Sequence, residues 1–271
     1  MFLPDNIDFA ESKKYILSIR LLPSGFYFSI HCPTDETVFY QNSVSFRPNS
    51  NYLKNLEKII FDYSFFSYNY QKINVFCVNH ETAIVPNELY DKKHESDVLS
   101  FNCLNTKLHV TSSELREHDC RVVWGMDKSI YTFLCRVLLN PNFASHLSPL
   151  ITLFYNVHNK DTSALYVNFN NDKMIDIVAF WEGKLILAKT FIANSMLEDS
   201  YYIQKTWEVL KLNAQSDKLF FSGKTDNHSE CIDTLKKVVS KTGDLILKLP
   251  SDSKINLEEV PTEILNQLCE L

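Results

Sequence analysis

Runs of apolar and β-branched residues broken by short polar turns open the chain. "YILSIRLL" at 15–22 alternates into "PSG", "FYFSIHC" follows, and "PTDE" turns the chain into "TVFYQNSVSF", so the first 46 residues predict a three-stranded meander. The period then changes. In "NSNYLKNLEKIIFDYSFF" the apolar positions Tyr52, Leu53, Leu56, Ile59, Ile60 and Tyr63 recur at helical intervals behind a cap at Asn49 or Ser50. "KINVFCV" at 72–78 reads as a compact buried strand, and "TAIVP" leads to a short helix opened by Pro86. "KLHVTSS" and "CRVVWGM" read as strands. Asp127 caps an amphipathic helix carrying Ile130, Phe133, Leu134, Val137 and Leu138, and "SPLITLFYNVHN" at 148–159 continues as another helix.

A polar stretch, "HNKDTS" at 158–163, marks a domain boundary and predicts units at 1–159 and 160–271. Past it the opening order returns. "ALYVNF", "KMIDIVAFW" and "KLILAKTF" are strands joined by "NND" and "EG". A helix over "NSMLEDSYYIQKTWEVLKLN" is capped by Asn194 or Ser195. "KLFFSG" is a strand, "NHSECIDTLKKVVSKTG" a helix stopped by Gly243, "DLILKLP" a last strand, and "VPTEILNQLCEL" a short terminal helix. Strand-strand-strand-helix-strand therefore occurs twice, with negligible sequence identity between the copies.

Composition narrows the chemistry. The 271 residues are 45% hydrophobic and 22% charged, as in ordinary globular chains, and no stretch approaches a membrane span. The N-terminus, with acids and a proline, lacks the basic and apolar regions of a signal peptide, and the seven cysteines form no CxxC pair; both predict a cytoplasmic protein with reduced thiols. A net charge of -6 argues against nucleic acid as a partner. There are five glycines in all, few for loops that wrap phosphate. No GxSxG, Walker, HExxH or GxGxxG pattern occurs. His109, His118 and Cys120, with His94 or Cys103 as a fourth group, match no zinc spacing, so no metal ligands are assigned. Asp172 and Asp176 form an acidic pair of the kind two-metal nucleases use, but the first strand of that hairpin lacks the acid such chemistry needs. No catalytic residue is assigned.

The repeated order, with stretches such as "INVFCVNHETAIVP" and "YVNFNNDKMIDIVAFWEGKLILAKTF", resembles the actin-like ATPase architecture. More narrowly it is similar to a Bacteroidetes family with that fold and no assigned activity. The resemblance implies an α/β protein of two tandem ribonuclease-H-like domains, each a mixed sheet opening with an antiparallel meander and flanked by helices. It also implies a nucleotide cleft, in which the first strand of each half carries an aspartate that holds Mg²⁺ and glycine-bearing turns reach the phosphates. At those positions this chain has Ser18 or Arg20 in the first half. In the second it has Asn168, followed by Asn170 and Asn171 at the turn, and the adenosine loop corresponds to Ser222, Gly223 and Lys224. These six second-half positions are thus degenerate nucleotide-loop residues. The implied cofactor is none, the ATP–Mg²⁺ site having decayed, and the expected function is a non-catalytic pseudo-ATPase that takes a protein partner or another ligand in the inter-domain cleft. One alternative is a diverged ATPase or phosphotransferase using acids such as Asp127 or Asp172. Another is an assembly component recruited to a membrane by a partner.

Overall fold

The computed structural model describes residues 7–101, 108–170, 173–245, 247, 259–266 and 268. β1 (Ile16–Leu22), β2 (Gly25–Cys32) and β3 (Asp35–Ser45) form the opening meander, and α1 (Tyr52–Asp62) returns the chain so that β4 (Lys72–Cys77) lies parallel to β1. An excursion follows: β5 (Thr82–Pro86), α2 (Glu95–Ser100), β6 (Leu108–Leu115), β7 (Cys120–Asp127) and α3 (Lys128–Val137), the strands making a separate sheet in the order β5-β7-β6. β8 (Asn142–Ser145) then joins β4 in parallel and α4 (Leu147–Val157) leads to the second half. There β9 (Ala164–Phe169), β10 (Met174–Trp181), β11 (Lys184–Ile192), α5 (Met196–Val209), β12 (Lys218–Gly223), α6 (Ser229–Val238) and β13 (Lys241–Asp244) repeat the plan, and α7 (Thr262–Leu265) follows. The two large sheets, β3-β2-β1-β4-β8 and β11-β10-β9-β12-β13, have one topology.

Local chemistry accounts for several boundaries. Asn51, and neither Asn49 nor Ser50, caps α1: its side chain accepts from the Lys54 amide, while Asn49 takes a left-handed φ of 60° in the preceding turn. Asp127 caps α3 and Ser195 caps α5. Gly243 does not end a helix. α6 stops at Val238, and Lys241–Asp244 is instead the edge strand, with Gly243 opposite Phe220. The expected last strand over "DLILKLP" therefore begins earlier, and residues 246 and 248–250 lie outside the described residues. β8 has no counterpart among the predicted strands, because four residues are too few to show an alternation.

One hydrophobic core runs through both halves. Leu17, Ile19, Phe28, Phe65 and Phe66 of the first half belong to the same cluster as Leu150, Ile151 and Phe154 of α4 and Tyr166, Val178 and Phe180 of the second sheet. Strand alternation sends Leu165, Val167, Ile175 and Ile177 to the other face, where α5 and α6 cover them. The segment 259–266 returns to the first half: Val260, Ile264 and Leu265 pack on Tyr27, Phe76 and Ala144. Among the described residues no helix is long and apolar enough to cross a membrane.

Candidate functional site: a charged seam between the halves

Two largely apolar strands each bury one charge. Arg20 on β1 shares its face with Ser18 and lies between Tyr27 of β2 and Phe76 of β4. Asp176 on β10 sits opposite Asn168 of β9 on one side and Thr190 of β11 on the other, and Asn168 in turn faces Ser222 of β12. Thr190, Asp176, Asn168 and Ser222 thus form a polar row across four strands, aimed at the first half.

Asp176 is fully buried and its carboxylate is saturated. Oδ1 accepts from His146 Nε2 at 2.8 Å and Thr190 Oγ1 at 2.7 Å; Oδ2 accepts from Asn168 Nδ2 at 3.0 Å and Asn170 Nδ2 at 2.5 Å. His146, which precedes α4, places Nδ1 3.1 Å from the Cys77 carbonyl, so both ring nitrogens face acceptors and both carry protons. Burial acts to discharge this imidazolium, but the charge and hydrogen bond of Asp176 outweigh it and raise the His146 pKa above its ordinary value. Burial likewise opposes ionisation of Asp176, and His146, Asn168 and Thr190 together hold its pKa below the carboxylate range.

Arg20 continues the seam. Its Nη2 donates to Asn170 Oδ1 at 2.6 Å, and its Nε donates to Glu263 Oε1 on α7. Arg20, Glu263, His146 and Asp176 sum to zero charge, so this desolvated centre offers no surplus negative charge to a divalent cation.

A cavity of about 520 Å³ adjoins the seam. Asn168, Asn170, Ser222, Gly223 and Lys224 all line it; Asn171 lies outside the described residues. Gly223 has a structural reason to be glycine: its φ is +78°, and a Cβ there would stand 2.3 Å from the Phe169 carbonyl oxygen. The Lys224 amide donates to that same oxygen at 3.0 Å, which fastens the end of β12 to the β9 hairpin. In that hairpin the left-handed residue among those described is Lys173, at φ 54°.

Other candidate groups lie elsewhere. Asp127 spends its carboxylate on the Ser129 and Ile130 amides, and Asp172 lies outside the described residues. His109 stacks on Tyr131, His118 packs edge-on against Tyr155, and His94 bonds Asp97; Cys103 lies outside the described residues. Among the described residues no three His, Cys, Asp or Glu side chains converge as metal ligands. Sequence reasoning missed His146 and Glu263. The signal that points to them is the lone charge within "YILSIRLL" and within "MIDIVAFW", since a charge inside a buried strand requires a partner.

Two sheets of one topology, an antiparallel meander in each (β1-β2-β3 and β9-β10-β11), and a cavity between their first hairpins define the actin-like ATPase fold. A protein from Bacteroides thetaiotaomicron VPI-5482, with an actin-like ATPase fold and unknown function, is similar at a TM-score of 0.80 and 27% identity, over 88% of this chain and 93% of that one. Residues 4–241 match the family model described as "Protein of unknown function (DUF3822)", and the chain belongs to that family. A type IV pilus biogenesis complex, PilM–PilN, is similar at 9% identity and a TM-score of 0.49, over 85% of this chain and 88% of that one. The cytoplasmic domain of EpsL, an inner-membrane component of the type II secretion system of Vibrio cholerae, is similar at 9% identity and 0.45, over 93% of this chain and 92% of that one. No curated protein matches.

Proposed function

We propose that this is a non-catalytic member of the actin-like fold, a cytoplasmic binding or assembly protein that has given up magnesium-nucleotide chemistry and receives a partner or ligand in its inter-domain cleft. The observation that carries this reading is the place of Arg20. A guanidinium stands on the strand where the fold's nucleotide-binding members are expected to keep a metal-holding aspartate, and it is bonded to Asn170 of the facing hairpin. A fixed cation repels Mg²⁺ there, and Asn168 brings no charge to replace the missing acid. Asp176, the acid that remains nearby, already accepts four hydrogen bonds. Buried, unpaired thiols at Cys32, Cys77, Cys120 and Cys231 suit a reducing compartment.

Thermal melting with a non-hydrolysable ATP analogue and Mg²⁺ tests the proposal. No stabilisation is expected. A rise of several degrees that disappears in Asn168→Ala counts decisively against it, because a ligand binding only the folded state must raise the melting temperature. The diverged-ATPase reading keeps one supporting observation, a cavity of about 520 Å³ beside the hairpin and the Gly223 loop. Phosphate release above a buffer blank, lost on substituting Asp172, would establish it.

A further inference from the structure

The Arg20–Glu263 contact is half made. Glu263 is fully buried, Oε1 accepts a hydrogen bond from Arg20 Nε, and Oε2 is buried with no hydrogen-bond partner among the described residues. Arginine and carboxylate ordinarily meet through two parallel bonds, and a desolvated carboxylate oxygen without a donor is costly to keep. Arg20 is the sole buried lysine or arginine among the described residues, and its hydrogen bonds engage Nε and Nη2, two of the five N–H groups a guanidinium carries. It also lines the cavity. The acid opposite it stands on a helix of four residues, held on the first sheet by Val260, Ile264 and Leu265.

We propose that Arg20 is a receptor for an oxyanion, a carboxylate or phosphate bound without metal, and that Glu263 is its built-in stand-in. An anion entering from the cavity takes the Nε–H and Nη2–H of Arg20 as a parallel pair, Glu263 is displaced from Nε, and the grip of segment 259–266 on the first sheet loosens. The remaining lining sets the ligand's shape. Lys224 is accompanied by Asp244 and Glu259, so a polyphosphate meets two carboxylates, while Tyr27, Phe169 and Leu247 offer apolar wall. These features suit one anionic head on an uncharged, partly apolar body. The inference rests on the non-nucleotide reading above, since it gives the cleft to another ligand.

The test uses three probes in EDTA, read by ligand-observed NMR on the full chain: phenylacetate, phenyl phosphate and the neutral phenylacetamide. Either anion, or both, is expected to bind, and the winner distinguishes a carboxylate from a phosphate ligand. Phenylacetamide is expected to be inert, Arg20→Met to abolish binding, and Glu263→Gln to tighten it at least tenfold by removing the competitor. Equal binding of anion and amide, no binding of either anion, or unchanged affinity in Glu263→Gln overturns the proposal. Should Glu263→Gln not fold, hydrogen exchange on the wild-type chain decides: a saturating anion must speed exchange of the 259–266 amides, and unaltered exchange refutes the coupling. A magnesium-nucleotide titration run alongside keeps the two readings apart. Nucleotide binding sinks the non-catalytic reading, whereas its absence together with inert phenyl anions sinks the oxyanion receptor alone.

Discussion

Replacing Asp176 with asparagine keeps the shape of the seam and removes its negative charge. The amide can present its oxygen to His146 and Thr190 or to Asn168 and Asn170, but not to both pairs, so two donors lose their acceptor in either orientation. His146, with no exposed surface, is left as an uncompensated cation or must shed its proton. Breaking a buried ion pair by removing one member costs about 3–5 kcal/mol, and each orphaned buried donor about 1–3 kcal/mol. These contributions share one carboxylate and do not add, which puts the expected loss at about 4 kcal/mol. Against a total stability of roughly 5–15 kcal/mol this is a large fraction. Urea unfolding at pH 6 followed by near-ultraviolet circular dichroism measures it, and Thr190→Val, which removes one hydroxyl and no charge, serves as the mild comparison. If Asp176→Asn costs no more than about 1 kcal/mol, the value of an ordinary hydrogen bond, the carboxylate is not holding an imidazolium and the charge assignment fails.

The same pair dictates a pH profile. His146 titrates higher folded than unfolded, so its contribution is fully present below its ordinary pKa of 6.5 and is lost as pH rises through the raised value. Asp176 titrates lower folded than unfolded, so its contribution is present above 3.8 and is lost as pH falls through the depressed value. The seam is therefore strongest between those limits, and Asp176→Asn should erase the alkaline decline as well as lowering the plateau.

Four further substitutions give separable outcomes. His31, buried with neither ring nitrogen hydrogen-bonded among the described residues, has its pKa pushed by burial down to about 4. It stabilises the fold above 6.5 and loses that contribution as pH falls toward 4, by about 3 kcal/mol in all; His31→Leu should flatten this acid limb in a melting-temperature series. Gly223→Ala should cost roughly 2 kcal/mol or more, through left-handed strain and the Phe169 carbonyl contact. Gly243→Ala, whose Cβ would meet nothing nearer than a Phe220 ring carbon at 3.5 Å, should fall within about 0.5 kcal/mol of wild type in the same denaturation assay. Asn168→Asp, which reinstates the acid expected of a nucleotide-binding hairpin, should destabilise the protein at pH 7 and recover in part on acidification. It sets a second carboxylate beside Asp176, where the native amide donates at 3.0 Å, and two such groups cannot both ionise.

Architecture was legible wherever it depends on local periodicity. Both meanders, the stripes of α1 and α3, and the strand "KLFFSG" lie where alternation and 3.6-residue spacing put them. β8 was not legible because four residues carry no period, and β13 was misread because Gly243 serves a strand edge as readily as a helix stop. Of the insertion sheet, β6 and β7 were visible as strands; β5 was not, since "TAIVP" reads equally as the lead into a helix at Pro86, and the separate layer was invisible because pairing is a long-range property. The candidate loops were legible as positions: Asn168, Asn170, Ser222, Gly223 and Lys224 do converge on one cavity. Their partners were not, because Arg20 and Glu263 are 243 residues apart and nothing in "VPTEILNQL" marks its glutamate as buried.

The residues of the seam constrain one another, so their identities are not independent. A buried Arg20 is tolerable only with a carboxylate brought to it, which Glu263 supplies from 243 residues away, and with a neutral acceptor on the facing hairpin, which Asn170 supplies. Asn170 can offer Oδ1 to Arg20 because its Nδ2 has Asp176 to donate to, and Asp176 can stay ionised because His146 and Thr190 occupy its other oxygen. Making any one of these positions acidic leaves a like-charge contact or an orphaned donor at its neighbour. The same interdependence ties the first sheet, the second hairpin and segment 259–266 into one unit. Whatever enters the cleft must act on that unit as a whole, and Arg20, shared by all three, is where it would do so.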